Sequence, residues 1–222
     1  MNREYFMNKR RNIMAVVGVI IGSVNIGLFK MAAFGMDPFQ SLVSSLDKLL
    51  PISYGTTSML LTAALLIFTV LADRHYIGIT TAVNLFFLGY IAQFTQDLLE
   101  SVLPQTMAVR VIVFIVGFVG LCLGSAIYIT ADRGVSTYDS VSIIMDATWH
   151  WGKFKYLRIC TDLVCVTGSF LLYRVAVGSF QGLGAVIGFG TIATAFCMGP
   201  LVDFFIHAVA EPMLYGKDVK RA

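Results

Sequence analysis

The residues whose chemistry stands out are charged and amide side chains inside long apolar runs. Asn84, Asp97 and Asp203 interrupt stretches of aliphatic and aromatic residues, and Arg158 and Asp162 do so four residues apart. A charge at the centre of a lipid bilayer costs roughly 2.5–3.5 kcal/mol on insertion scales, so such residues pair with one another, relay protons or bind solutes. We therefore regard Asn84, Asp97 and Asp203 as candidates for solute binding or ion coupling, and each of the five side chains needs a physical reason for its place.

The spacing of these residues favours different roles. Arg158 and Asp162 lie on one face of a helix, which favours a structural ion pair. Asn84 lies in the middle of its run, where an interhelical hydrogen bond and a contact to a solute explain it equally well. Asp97 and Asp203 are the best candidates for ion coupling or a proton relay, although a place near the end of a run also lowers the cost of a charge.

The composition identifies the lipid bilayer as the surroundings of the chain. Of 222 residues, 57% are hydrophobic and only 13% are charged, whereas about a quarter of the residues in soluble proteins are charged. A soluble core of this chain length cannot hide so much hydrocarbon. The composition excludes an intrinsically disordered protein, a disulfide scaffold and a nucleic-acid-binding protein. We therefore predict an all-α polytopic membrane protein.

Six apolar runs are long enough, at about 1.5 Å per residue, to cross a hydrocarbon core of about 30 Å. The predicted transmembrane helices cover residues 13–34, 56–72, 77–103, 107–131, 154–177 and 183–209. Basic residues occur in the N-terminal segment 1–12 and in the C-terminal segment 210–222, which contains Lys217, Lys220 and Arg221. By the positive-inside rule, we expect both of these segments to be cytoplasmic.

The chain contains two copies of one three-helix unit, residues 13–103 and 107–209. A shift of 99 residues brings identical residues together in the pairs Gly18/Gly117, Gly35/Gly134, Ser41/Ser140, Asp47/Asp146 and Thr62/Thr161. At a shift of 106 residues, Asp97 meets Asp203. Because each unit has an odd number of spans, the second copy enters the membrane from the opposite side. The predicted fold is therefore six transmembrane helices in a 3+3 inverted repeat, which is common in secondary transporters.

After its first span, each unit is interrupted by the same kind of helix break. The first break reads Gly-Met-Asp-Pro-Phe-Gln from residue 35, and the second reads Gly-Val-Ser-Thr-Tyr-Asp from residue 134. Glycine permits the turn that ends a helix. Asp37 and Ser136 are predicted to cap the next helix, with Gln40 and Asp139 at its third position, in the arrangement of a capping box.

The segments that follow these breaks, residues 37–50 and 136–149, are too short to cross a bilayer, because about fourteen residues of helix span only about 21 Å. Each segment is therefore predicted to be a half-helix. An amphipathic helix on the membrane surface and a re-entrant helix that lines a solute path are both compatible with the sequence.

In the re-entrant arrangement, polar side chains at the beginnings of the half-helices would contact the solute. The predicted binding residues are Asp37, Gln40, Ser41, Asn84, Ser136, Asp139 and Ser140, and the predicted ion-coupling residues are Asp97 and Asp203. Because an anion would compete with the aspartates near the helix N-termini, a neutral or cationic solute fits better.

Recognisable catalytic and metal-binding motifs are absent from the sequence. The four cysteines and three histidines show no zinc spacing, and no nucleotide-binding or hydrolase motif occurs. We therefore predict no metal, no cofactor and no enzymatic activity, with transport of a small solute as the leading function. A membrane scaffold or regulator that binds a partner is the alternative, because the GxxxG pairs Gly18/Gly22, Gly120/Gly124 and Gly184/Gly188 let helices approach closely. The same pairs allow a homodimer.

Several motifs resemble the YczE/YitT group of bacterial membrane proteins. They are the two helix breaks at residues 35–40 and 134–140, the Thr-Thr-Ala-Val-Asn stretch that ends at Asn84, and the stretch from Gly190 to Pro200. The resemblance covers nearly the whole chain. It implies a multi-pass protein of the bacterial inner membrane. It implies no defined activity, because members of the group are largely uncharacterised and only some are linked to peptide-antibiotic production.

Overall fold

The structure, a computed structural model, describes residues 2–216, which form helices and connecting turns without any strand. The basic residues Lys217, Lys220 and Arg221 of the expected C-terminal segment lie outside the described residues. The helices are α1 (Asn2–Ala32), α2 (Pro38–Leu49), α3 (Tyr54–Ala72), α4 (Ile79–Val83), α5 (Gly89–Val102), α6 (Met107–Ala131), α7 (Thr137–Ala147), α8 (Phe154–Val177), α9 (Leu183–Val186), α10 (Phe189–Phe205) and α11 (Glu211–Tyr215). π-helical turns at Asn84–Leu88 and Ile206–Ala210 join α4 to α5 and α10 to α11.

Five helical segments of the described chain are long and apolar enough to cross a membrane. They are Met7–Ala32, Tyr54–Ala72, Met107–Ala131, Tyr156–Val177 and Leu183–Tyr215. Their outer surfaces expose large apolar side chains, such as Leu71 at 80% and Phe196 at 78%, as expected for helices that face lipid. The segment predicted as the third span is helical over 79–102, but its amide and acidic side chains make it more polar than these five. A sixth crossing therefore stays a prediction.

The helices α1 and α6 lie directly against each other through their glycines. A Cβ atom added at Gly124 would lie 2.7 Å from the backbone N of Gly22 and 2.8 Å from the carbonyl O of Gly18. A Cβ atom at Gly120 would meet the side chain of Asn25 at 2.2 Å. Small residues let transmembrane helices approach this closely. Two of the three GxxxG faces seen in the sequence are therefore used within the chain.

The substitution Gly124→Ala is expected to destabilise the protein by about 1–3 kcal/mol, because the added methyl group forces α1 and α6 apart. Gly22→Ala is the matched control, since a Cβ atom at Gly22 has no other heavy atom within 4 Å. Thermal unfolding of the purified protein in detergent measures the difference. Equal unfolding temperatures for the two variants would contradict the close contact.

Each of the two long helices α1 and α6 ends in the same backbone conformation. Ala33 (φ +56°) and Asp132 (φ +52°) are left-handed, and each is followed two residues later by a glycine with positive φ, Gly35 (+99°) or Gly134 (+92°). Residues with a Cβ atom rarely adopt these angles, whereas glycine does so without steric cost. The chain turns sharply at both sites and enters a half-helix, α2 or α7.

The half-helices α2 and α7 contact different parts of α8. Ser45 of α2 and Ser169 of α8 share a hydrogen bond of 2.8 Å. Ser142 of α7 and Thr161 of α8 share one of 3.2 Å. Residues 161 and 169 are about two helical turns apart. Along α8, α7 therefore lies nearer the beginning and α2 nearer the end.

The contacts with α3 give the same arrangement. Tyr54, the first residue of α3, donates a hydrogen bond of 2.5 Å to Gln40 of α2. Thr69, near the end of α3, shares a hydrogen bond of 2.7 Å with Ser140 of α7. Because α3 and α8 both contact α2 at one end and α7 at the other, the two half-helices lie at opposite ends of the helix bundle.

The first turns of the two half-helices face each other. The rings of Phe39 and Tyr138 are stacked, with their centroids 4.9 Å apart and an angle of 20° between their planes. Both side chains are buried, with exposed fractions of 7% and 6%. The ring stack therefore joins the N-terminal ends of α2 and α7 in the interior of the bundle.

The break before α2 is stabilised by backbone hydrogen bonds to the segment that leads into α10. The N–H of Gly190 donates to the carbonyl of Phe34 at 2.7 Å, and the N–H of Met36 donates to the carbonyl of Val186 at 3.2 Å. These bonds use backbone groups that the helix break leaves without partners inside α1 or α2. In a bilayer such groups have no water to bond to, so a protein partner is required.

The break before α7 has equivalent bonds to the segment that leads into α4. The N–H of Thr80 donates to the carbonyl of Arg133 at 3.1 Å, and the N–H of Val135 donates to the carbonyl of Tyr76 at 3.2 Å. The hydroxyl of Thr81 donates to the carbonyl of Val135 at 2.8 Å. Each break is thus held by a segment that is far away in the sequence.

Candidate functional site

The N-terminal halves of α7 and α8 share a half-buried ionic cluster, which we define as Arg158, Asp139 and Asp162. The Arg158 guanidinium forms an ion pair with Asp139 of α7, and its Nε atom lies 3.4 Å from Oδ1 of Asp162. Only 26%, 22% and 17% of the side-chain surfaces of Arg158, Asp139 and Asp162 are exposed. The pairing of Arg158 with Asp162 expected from the sequence is confirmed, and Asp139 joins it from a different helix.

Tyrosines complete the ionic cluster. The Tyr138 hydroxyl donates to Oδ1 of Asp162 at 2.5 Å, and the Tyr128 hydroxyl donates to Oδ2 of Asp139 at 3.0 Å. The Arg158 guanidinium carbon lies 4.3 Å from the centroid of the Tyr138 ring, within the range of a cation–π interaction. Each carboxylate therefore has both a charged and a neutral donor.

Asp37 lies at the beginning of α2, on the other side of the ring stack. Its Oδ1 atom accepts a hydrogen bond of 3.2 Å from the N–H of Gln40, so the predicted N-cap is confirmed. Burial raises the pKa of the Asp37 carboxyl to about 6, while the hydrogen bond from the Gln40 N–H and the charge of Arg158 act in the opposite direction. Asp37 is thus a carboxyl group close to the ionic cluster that is not itself ion-paired.

The predicted capping boxes are wrong in three details. Ser136 precedes α7, but its side chain accepts no hydrogen bond from that helix. Asp139 pairs with Arg158 and Tyr128 instead of returning to the cap. Gln40 accepts the Tyr54 hydroxyl through Oε1. In both half-helices the side chain at the third position contacts another helix instead of the cap. For Asp139 the partner is a charged arginine, and a hydrogen bond between charged groups is stronger than a neutral one.

The predicted binding residues Ser41 and Ser140 form hydrogen bonds with other protein groups at the two breaks. Ser41 donates to the carbonyl of Val186 at 2.7 Å, and Ser140 donates to the carbonyl of Thr137 at 2.7 Å while bonding the Thr69 hydroxyl. Both serines are fully buried, with exposed fractions of 0% and 1%. Their hydroxyl groups are engaged in protein contacts at the two breaks.

Asn84 lies at the first position of the π-helical turn, between α4 and α5. Its side chain is 7% exposed, and its Nδ2 atom has no hydrogen-bond partner within residues 2–216. The hydroxyl of Thr80, one turn earlier, is also buried without a partner in that range. π-helical turns are frequent at functional sites. Asn84 therefore stays a candidate for a solute contact, on a different element from the ionic cluster.

Asp97 and Asp203 are both exposed and lie outside the ionic cluster. The side chain of Asp203 is 75% exposed, and its Oδ1 atom lies 3.6 Å from Nε2 of His207. The N–H groups of Gly78 and Gly188 each donate to the hydroxyl of the threonine three residues later at 3.2 Å. These two glycines therefore occupy the same position in the two units, with a spacing of 110 residues. At that spacing Asp97 corresponds to His207 and not to Asp203. The ion-coupling role of the two aspartates stays a prediction without support from this geometry.

Arg158, Asp162 and Tyr138 belong to this site but are not among the binding residues predicted from the sequence. The sequence contains an indication for each of them. The charges at 158 and 162 were recognised but interpreted as structural, and Tyr138 occupies the repeat position of Phe39. For residues 2–216, no group of three or more metal-binding side chains is placed to hold a metal ion.

Comparisons with known proteins identify relatives over most of the chain. A family model described as a family of unknown function (DUF6198) matches residues 9–207. The uncharacterized membrane protein YczE of Bacillus subtilis is 26% identical over 199 residues, which are 89% of this chain and 86% of YczE. The uncharacterized protein YyaS of the same organism is 26% identical over 206 residues, 89% of this chain and 93% of YyaS. An uncharacterized protein of Haemophilus influenzae is 25% identical over 187 residues, 83% of this chain and 78% of the relative. No solved structure matches.

Proposed function

The chain belongs to the family of unknown function DUF6198, and we propose that it carries a small solute across the membrane with six transmembrane helices in a 3+3 inverted repeat. The resemblance to YczE noted in the sequence is confirmed, and the chain is a membrane protein of that kind. The proposal adds a transport activity, two cytoplasmic termini and a binding site between the half-helices.

Matched backbone geometry supports the inverted repeat. Ala33 and Gly35 in the first break have the same sign of φ as Asp132 and Gly134 in the second, and the two sets are 99 residues apart. Each break bonds the segment before a long helix of the other unit. The half-helices α2 and α7 lie at opposite ends of the bundle, as two units of opposite orientation would place them.

The burial of the half-helices supports the re-entrant arrangement over the surface arrangement. The polar face of α2, which contains Ser41, Ser44 and Ser45, is buried against protein, whereas an interfacial helix would turn this face to water. The first turns of α2 and α7 meet at the stack of Phe39 on Tyr138. Half-helices that end inside a bundle typically form the binding sites of transporters.

The observation that carries the proposal is the half-buried ionic cluster, which contacts the stack through the hydrogen bond of Tyr138 to Asp162. Arg158 compensates one of the two carboxylates that contact it, and Asp37 adds a third carboxyl group nearby. Acidic groups are thus in excess over basic ones at this site. A cationic solute or a proton would balance that excess and a neutral solute would leave it unchanged, whereas an anion would increase the repulsion.

The substitution Asp37→Asn tests this site with little disturbance of the fold, because asparagine also caps helices well. Purified protein in detergent is screened by thermal shift against metabolites and ions. We expect at least one neutral or cationic compound to raise the unfolding temperature. We expect Asp37→Asn to raise the half-saturating concentration of that compound at least about fivefold, which corresponds to a loss of about 1 kcal/mol in binding free energy. Flux of the same compound into liposomes tests transport directly.

Glu100→Gln is the matched control, because it removes the same charge from an exposed position outside the proposed site. We expect it to leave both the thermal shift and the flux unchanged. Equal effects of the two substitutions would refute the proposed site. Binding of a compound without any flux would refute the carrier and favour a receptor or regulator.

The alternative of a membrane scaffold has less support than transport. It relies on GxxxG faces that bind a partner, and the faces at Gly18/Gly22 and Gly120/Gly124 lie against each other in one chain, whereas Gly184 of the third pair has open space at its Cβ position. A scaffold also gives no reason for a half-buried ionic cluster, where uncharged residues would cost less. We therefore propose transport, and neither scaffolding nor catalysis.

A further inference from the structure

A groove of about 540 Å³ runs along the outer face of α1 near its N-terminal end. The residues that line the groove recur every three to four positions and thus share one helix face. In chain order they are Asn8, Lys9, Asn12, Ile13, Val16 and Val17. The groove therefore has a polar end, formed by the first three residues, and an apolar wall, formed by the other three.

The polar end carries positive charge and unused hydrogen-bonding groups. Arg133, in the break before α7, donates to the Asn8 side chain and brings a second cation to the polar end. Among the side chains that the structure describes, no carboxylate forms an ion pair with Lys9. Nε of Arg133 and Oδ1 of Asn12 are enclosed and lack hydrogen-bond partners within residues 2–216. The groups open to a ligand at this end are the side chains of Lys9 and Asn8, which are both exposed. An anionic group that also has hydroxyls would complement them.

The apolar wall continues along the outside of the bundle. Ile13 and Val17 are 54% and 39% exposed, and Ile20, one turn further, is 42% exposed. This strip belongs to the span Met7–Ala32, so it leads from the membrane surface into the hydrocarbon region. A molecule with a charged head and a hydrocarbon chain matches both parts of the groove.

We propose that this groove specifically binds one anionic phospholipid of the phosphatidylglycerol class. The lipid phosphate contacts Lys9 and Arg133, a glycerol hydroxyl bonds the Asn8 side chain, and an acyl chain lies along Ile13 and Val17. Basic pockets at the ends of transmembrane helices bind anionic head groups in this way. The lipid site does not depend on solute transport, because it lies on the outside of α1, away from the ionic cluster.

The experiment uses the full chain, purified and delipidated in a neutral detergent. Phosphatidylglycerol and phosphatidylcholine with the same acyl chains are titrated separately, and the unfolding temperature is recorded at each concentration. Native mass spectrometry counts the lipids that each protein molecule retains. We expect phosphatidylglycerol to raise the unfolding temperature at lower concentration and to be retained as a single molecule.

Lys9→Gln is expected to raise the half-saturating concentration of phosphatidylglycerol about fivefold, since one basic residue at a membrane surface contributes that much to binding. Lys48→Gln is the matched control, because Lys48 is exposed at the other end of the bundle, and it should leave the titration unchanged. Four outcomes would overturn the proposal. They are equal responses to the two lipids, equal effects of the two substitutions, an equal response to inorganic phosphate alone, and dimerisation through α1 in place of lipid retention.

Discussion

Replacing Arg158 with glutamine is expected to lower the free energy of unfolding by about 2–4 kcal/mol, because Asp139 and Asp162 then lie half-buried without a counter-charge. Both carboxylates contact the Arg158 guanidinium and are at least about three-quarters shielded. Chemical unfolding of the detergent-purified protein, followed by circular dichroism, measures the loss. The fraction of variant protein that elutes as a single species from a sizing column gives a second measure.

Two further variants separate the charge of Arg158 from its other contributions. Arg174→Gln removes an exposed arginine of the same helix, which donates to the carbonyl of Gly178 and whose guanidinium carbon lies 4.3 Å from the centroid of the Phe180 ring. It should change stability by no more than about 1 kcal/mol. Adding Asp139→Asn and Asp162→Asn to the glutamine variant removes the uncompensated charges and should restore most of the loss. If this triple variant is as unstable as Arg158→Gln alone, the packing of Arg158 matters and its charge does not.

Replacing Gly134 with alanine is expected to cost about 2–5 kcal/mol. The backbone there has φ +92°, which costs a residue with a Cβ atom about 1–2 kcal/mol. The added Cβ would also lie 2.5 Å from the backbone N of Gly78, and relieving such an overlap costs typically another 1–3 kcal/mol. Gly35→Ala should have a similar effect, because its Cβ would lie 2.5 Å from the backbone N of Gly188.

Gly184→Ala is the control for these two substitutions, because a Cβ atom at Gly184 has no neighbour within 4 Å. Thermal unfolding of all three variants in one detergent gives the comparison. We expect the control to stay within about 0.5 kcal/mol of the original protein. A loss at only one of the two breaks would mean that they are not equivalent in the fold.

The sequence was sufficient for features that depend on nearby residues. The N-cap at Asp37 follows from an aspartate before proline at the beginning of a helix. The pair of Arg158 and Asp162 follows from their spacing of four residues. Composition alone identified the chain as a membrane protein, because hydrophobic content decides which solvent a chain can tolerate.

Contacts between helices could not be read from the sequence. Asp139 has the spacing of a capping residue, yet it pairs with Arg158 on another helix, and spacing within α7 carries no information about α8. The GxxxG pairs of α1 and α6 were recognised, but nothing in them identifies each as the partner of the other. The polarity of Asn84 was clear, whereas its lack of a hydrogen-bond partner depends on the helices around it.

The bonds at the first break also have a consequence for synthesis on the ribosome. The amide of Met36 and the carbonyl of Val186 that accepts its hydrogen bond are 150 residues apart. At about 5–20 residues per second, translation takes roughly 8–30 s to cover that distance. During this interval the amide needs a temporary partner, such as water in the insertion machinery or the insertase itself. The nascent N-terminal half is thus exposed to quality control for longer than its length alone would suggest.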